Sequence, residues 1–105
     1  MLNAHLDVVP AEARRWTHPP FAGVVADGAV WGRGAIDMKH MAAMSLVVVR
    51  LLAASGAPLR RDVVFAGVAD EEDGCAAGSA WLVAEHPDTV RAGYALGEVG
   101  GFPVY

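Results

Sequence analysis

Histidine and carboxylate residues recur at four separated points of the sequence: His5-Leu6-Asp7, Asp37, the run Asp70-Glu71-Glu72-Asp73, and Glu98. The alternation of a strand puts residues i and i+2 on the same side. Asp7 is then placed to accept a hydrogen bond from one imidazole nitrogen of His5 and leave the other for a metal. The competing structural reading is a strand-end histidine followed by a turn aspartate. Asp37 stands just after Gly32-Arg33-Gly34 and opens an apolar run. There it serves either as an ordinary helix N-cap or, because a carboxylate has two oxygens, as a bridge between two cations. Most acidic runs are solvated loop surface. The run at 70–73 follows an apolar strand directly, where crowded charge is costly unless cations neutralise it or a proton is shared. Adjacent glutamates can divide labour, one holding metal and one handling protons. Glu98, before glycines, reads on its own as a loop residue. Together these groups make an oxygen-rich set with one histidine, a chemistry that suits Zn, Mn or Co better than a thiolate site would. With two ions about 3.5–4 Å apart, a water held between them loses a proton near neutral pH.

Such a set needs elements that bring distant segments to one edge. Leu2–Val9 reads as a strand ending at Pro10. Val24–Ala26 and Ala29–Trp31 flank Asp27-Gly28, a strong hairpin signal. Asp37 precedes a helix-like run through Ser55, stopped by Gly56 and Pro58. That run is apolar nearly all round, so burial on more than one face is expected. Asp62–Ala69 reads as a second core strand, Cys75–Glu85 as a second helix ending before Pro87, and Tyr94–Gly97 as a third strand. Alternating strands and helices predict an α/β fold, a mostly parallel sheet with helices on both faces. In such sheets functional groups collect beyond the carboxyl ends of the strands, and His5, Asp7, the acidic run and Glu98 all fall there. Met38, Met41 and Met44 follow helical spacing and are expected in the core. Trp16, Trp31 and Trp81 are expected as core or rim packing, and Cys75 as a small buried residue. Arg33 reads as an exposed turn residue, His18 as a loop residue, His40 as a helix-surface or site-rim residue and His86 as a helix-end residue.

The 105 residues amount to one domain at most, and 54% hydrophobic residues with 19% charged exclude disorder for most of the chain. A formal charge of −4 leaves no basic footprint, which argues against a nucleic-acid partner. The single cysteine excludes an internal disulfide and fits a reducing, cytoplasmic setting. The most apolar stretch, Met41 to Ala57, is too short and too interrupted for a membrane span. The chain starts inside a strand and stops after apolar Phe102-Pro103-Val104-Tyr105, so a fragment of a longer protein is expected.

Four segments occur in order: His5-Leu6-Asp7-Val8-Val9-Pro10, Pro19-Pro20-Phe21, Gly32-Arg33-Gly34-Ala35-Ile36-Asp37-Met38-Lys39 and Asp70-Glu71-Glu72. Each is modest alone; four in register over nearly the whole chain are specific. This succession resembles the M20 metallopeptidase family. The resemblance implies a di-zinc amidohydrolase that cuts an amide next to a carboxylate, on a small peptide or an N-acyl amino acid, with Co²⁺ or Mn²⁺ as alternative metals. It implies that His5 binds the first zinc, Asp37 bridges both, Glu72 binds the second, Glu71 is the general base and Asp7 orients His5. Glu98 matches the acidic ligand of the first zinc, though Glu98-Val99-Gly100-Gly101 departs from the family's Glu-Pro-Thr-like context. Residues 1–105 would then be a partial catalytic domain. The family's further histidine ligand to the second zinc has no counterpart here, since His18, His40 and His86 stand elsewhere. The lid or dimerisation domain, and with it the contacts of a parental homodimer, is also outside the chain. Two other readings stay open: a catalytically inactive truncated fragment that binds at most one metal ion, and a di-metal phosphoesterase.

Overall fold

β1, Leu2–His5, runs parallel to β4, Phe65–Val68, with Leu2 beside Phe65 and His5 beside Val68. The computed structural model describes residues 1–98. Because the two strands end level, whatever follows each of them emerges at the same edge. A parallel pair needs a long crossover, and here the connection carries α1, His40–Ser55, which packs against both strands. Ala4, Met38 and Ala42 are the buried heart of this contact, with Met41 and Phe65 packed around it. On the opposite face, Asn3, Ala66 and Val68 line a small cavity of about 70 Å³ with Leu82 and Val83 of α2, Ser79–Glu85, and Val90 of α3, Pro87–Val90. Helices thus flank the strand pair on both sides, as expected.

The sheet itself is smaller than the sequence predicts. Strand geometry covers Leu2–His5 rather than Leu2–Val9, and Phe65–Val68 rather than Asp62–Ala69. The last rung of the ladder is the Leu6 N–H to Val68 O; beyond it side chains take over, with the Leu6 carbonyl accepting from Lys39 Nζ and the Asp7 carboxylate accepting from the amides of Glu71 and Glu72. In place of the third strand, Tyr94–Gly97, there is one parallel bridge, Leu96 beside Leu2, made by Asn3 N–H to Leu96 O and Leu96 N–H to Met1 O. That single bridge is enough to carry Glu98 to the edge where His5 ends. The other pair, β2 (Val24–Ala26) and β3 (Ala29–Trp31), is the expected antiparallel hairpin. Asp27 and Gly28 both have positive φ, 53° and 74°, the geometry of a two-residue turn that Asp-Gly adopts readily.

Two helical expectations are corrected. Asp37 does not cap α1. It lies in an irregular turn over Ala35–Lys39, where Asp37 and Met38 have non-helical φ/ψ, and the helix begins at His40. The second helix starts at Ser79, not Cys75, because Asp70 and Cys75 take left-handed backbone. The Asp70 carboxylate also captures the Ala77 amide at 2.8 Å, closing a loop instead of a first turn. The second helix ends at Glu85, before Pro87, as expected, and Pro87 then opens the short α3, where its missing N–H costs nothing.

Apolar α1 is covered on one side only. Met44, Val47 and Leu51 are more than half exposed, so Met44 does not join Met38 and Met41 in the core. Trp16 and Trp31 are half-buried rim residues and Trp81 is exposed, while Cys75 is half-buried rather than buried. His18 meets the Trp31 ring edge-on, and His86 meets Trp81 the same way between α2 and α3. No helix among the described residues is long and apolar enough to cross a membrane. The Val99-Gly100-Gly101 context and the apolar segment 102–105 lie outside the described residues.

Candidate metal centre

His5 is 1% exposed, one of the two most deeply buried large side chains, although it is polar. Its ring is fixed from both nitrogens. Nδ1 lies 3.0 Å from the main-chain carbonyl oxygen of Asp7. A carbonyl only accepts, so Nδ1 carries the proton and donates it. Nε2 points the other way, into carboxylates: Asp37 Oδ1 at 2.8 Å, Glu98 Oε1 at 3.3 Å and Glu71 Oε2 at 3.9 Å. With Nδ1 protonated, neutral imidazole presents a lone pair at Nε2. A lone pair facing three anionic groups is repulsive unless a cation stands between them.

In the metal-free chain that cation is a proton. Burial alone would lower the His5 pKa. The bond to Asp37, the Asp7 carbonyl and the charges of Glu98 and Asp37 outweigh it and hold His5 above the ordinary imidazole value. A metal ion would serve the same purpose. One ligand atom each of His5, Asp37 and Glu98 lies within 4.8 Å of the others. The 3.3 Å between Nε2 and Glu98 Oε1 is close to the spacing of two atoms on one tetrahedral zinc, about 3.3 Å for bonds near 2.0 Å. The donor set therefore fits zinc: one buried imidazole with its tautomer fixed, and hard carboxylate oxygens on the open side.

The sequence-predicted residues divide. His5, Asp37 and Glu98 come together, with Glu71 at the margin of the group and half exposed. Glu72 reaches the site through its main chain: its amide donates to Asp7 Oδ2 at 3.1 Å, and among the described residues its carboxylate does not join the cluster. The Glu71 amide donates to Asp7 Oδ1 at 3.2 Å. Burial alone would raise the Asp7 pKa, but the Glu72 and Glu71 amides and the nearby His5 charge hold it below the ordinary carboxylate value. Asp7 was expected to orient His5 with its carboxylate. Its main-chain oxygen makes that contact instead, and the carboxylate stands 3.6 Å from Nδ1. Asp70 turns away to the Ala77 amide.

The Asp37 turn is seated on β1 by its neighbours. Met38 is buried and its sulfur accepts the His5 N–H at 3.3 Å. Lys39 donates to the Leu6 carbonyl at 2.6 Å. A Cβ on Gly34, which has φ 82°, would collide with Val8 Cγ1. Sequence reasoning gave Lys39 no role. The signal was its place directly after Asp37 and Met38, but a lysine opening a helix reads as solvated surface.

The model for Peptidase family M20/M25/M40 matches residues 1–102. The chain belongs to the M20 peptidase family. Pig (Sus scrofa) aminoacylase-1 is 42% identical over 101 residues, which is 93% of this M20 chain and 25% of that protein. Human aminoacylase-1 is 38% identical over 93% of the chain and 24% of its own length. Succinyl-diaminopimelate desuccinylase of Rhodopseudomonas palustris strain TIE-1 is 46% identical over 71 residues, 66% of the chain and 18% of that enzyme. The M20 chain thus spans about a quarter, or less, of the curated relatives it matches.

Proposed function

We propose that this chain is the segment of an M20 catalytic domain that binds metal and activates water, in a parent that hydrolyses an amide bond next to a carboxylate. The substrate would be a small peptide or an N-acyl amino acid. The observation that carries this reading is the convergence of Asp37, Glu98 and Glu71 oxygens on the buried Nε2 of His5. His5 and Glu98 would hold one zinc ion, Asp37 would bridge to a second, and Glu72 would turn its carboxylate to that second ion. Bound zinc would polarise the scissile carbonyl and acidify the attacking water. Glu71 would take a proton from that water as its oxygen adds to the carbonyl carbon. The same carboxyl would return the proton to the amide nitrogen as the C–N bond breaks. Asp7 would hold the Glu71-Glu72 main chain in register with His5. In a parent of the relatives' length, a further histidine for the second ion and the residues that grip substrate would come from outside the quarter spanned here.

A second reading, a site for one ion only, is favoured by Glu72, whose carboxylate stands apart from the group formed by His5, Asp37 and Glu98. Zinc stoichiometry separates the two. The test of the hydrolytic reading is Glu71→Gln in the parent enzyme: zinc content should be kept and turnover lost. Retained turnover would remove Glu71 as the base.

A further inference from the structure

We infer that Lys39 is a positioning residue that holds the Asp37 carboxylate against His5. His5 and Leu6 are consecutive at the end of β1, and Met38 and Lys39 are consecutive after Asp37. Each pair is joined to the other: His5 N–H to the Met38 sulfur, and Lys39 Nζ to the Leu6 carbonyl oxygen. These two contacts dock the Asp37 turn on the strand end one residue apart, and Asp37 Oδ1 meets His5 Nε2 at 2.8 Å beside them. The N–H···S bond is weak and the Met38 contact is mainly packing. The charge-assisted Lys39 bond is the directional one. It also satisfies a carbonyl that the sheet does not, because among the described residues β1 has no strand pairing beyond His5. The turn is shaped around the lysine. A Cβ on Gly34 would stand 3.3 Å from Lys39 Nζ, and the Lys39 amide closes the turn by donating to Gly34 O at 2.9 Å. The turn's backbone bonds, Lys39 N–H to Gly34 O and His40 N–H to Ala35 O, close around Asp37 without fixing its side chain, and Asp37 itself has extended rather than helical φ/ψ and caps no helix. Removing the ammonium should therefore leave the core intact and let the carboxylate drift.

This inference rests on the metal-binding reading above, and its test separates the two. In the full chain, zinc affinity is measured by competition with a chelator for the native sequence, Lys39→Met and Lys39→Arg. In the metal-free forms, solvent exchange of the His5 Nε2 proton is followed by NMR. Methionine keeps the apolar stem and deletes the donor. Lys39→Met should bind zinc about 10–100-fold more weakly, the cost typical of losing a group that orients a ligand. Its Nε2 proton should exchange faster while the far-UV circular dichroism stays native. Lys39→Arg, which can still reach a carbonyl, should recover most of both. Unchanged zinc affinity and unchanged proton exchange in Lys39→Met would overturn the inference, as would losses that only track loss of folded chain. If the native chain itself binds no zinc, the metal reading falls, and proton exchange alone decides whether Lys39 positions Asp37.

Discussion

The Nδ1 proton of His5 goes to the main-chain oxygen of Asp7, 3.0 Å away, while the Asp7 carboxylate faces the amides of Glu71 and Glu72. One residue thus fixes the tautomer of the buried imidazole with its backbone and the acidic loop with its side chain. The two tasks are chemically separable, because only the second depends on the carboxylate.

Asp7→Asn tests that division. The amide side chain has one accepting oxygen where the carboxylate has two, so one of the two loop amides loses its partner. The His5 contact survives. Zinc affinity at the His5 site should fall little, while turnover of the parent enzyme should drop by about 10–100-fold with KM nearly unchanged, because Glu71 is displaced. Equal losses in zinc affinity and turnover would mean that the carboxylate acts through His5 after all.

Glu71→Gln removes a proton acceptor without changing size. Zinc content should match the native enzyme, and kcat should fall by about 10²–10⁴-fold, the range for loss of a positioned general base. Steady-state kinetics with N-acyl amino acids and metal analysis of the same preparation check both halves.

Gly34→Ala should destabilise the metal-free chain by about 1–3 kcal/mol, since the residue needs left-handed backbone and its Cβ would strike Val8. Zinc binding should weaken with it, because Gly34 and Lys39 share the turn that carries Asp37. Denaturant unfolding and a zinc titration give the two values, and a neutral result in both would contradict the packing described.

The pH dependence of stability and of metal binding should run in opposite directions at His5. Its pKa is raised on folding, so the stability it gives the metal-free chain is complete below the unfolded imidazole value. That stability is lost as pH rises through the folded value. A metal ion competes for the same Nε2, so zinc affinity should decline as pH falls through that raised value. Asp7 behaves in the contrary sense: its lowered pKa gives stability above the unfolded carboxylate value that disappears as pH falls through the folded one. Zinc titrations between about pH 5 and 8, the range in which histidine changes charge, check the first point. An affinity that does not change over that range would exclude His5 as a ligand.

Much of this was legible in residue types and spacing. The hairpin followed from Asp27-Gly28, whose turn geometry few other pairs adopt. That His5 and Glu98 would meet followed from parallel strands ending level, although the third strand proved to be one bridge at Leu96. Composition alone cannot distinguish a residue that starts a helix from one held just before it, so the N-cap reading of Asp37 stands beside that of a carboxylate bridging two cations, and the structure removes only the N-cap. The main-chain contact of Asp7 was invisible for a similar reason: every residue has a carbonyl, and only the path of the chain decides which one a histidine meets. Met44 and its neighbours on α1 were read as core because apolar character shows a preference for burial, not the presence of a partner surface. Adjacency says only that Glu71 and Glu72 can divide labour; the ligand role of Glu72 is what the family resemblance implies, and the structure brings its amide, not its carboxylate, to the site.

In the proposed site one cation sits at Nε2 of His5 among the facing carboxylates. The most direct measurement is a crystal structure of the zinc-loaded chain with anomalous scattering at the zinc edge. The ion is expected about 2.0–2.2 Å from His5 Nε2 and from oxygens of Asp37 and Glu98, with Nδ1 still donating to the Asp7 carbonyl. An ion bound elsewhere, with His5 still hydrogen-bonded to Asp37 through a proton, would contradict it.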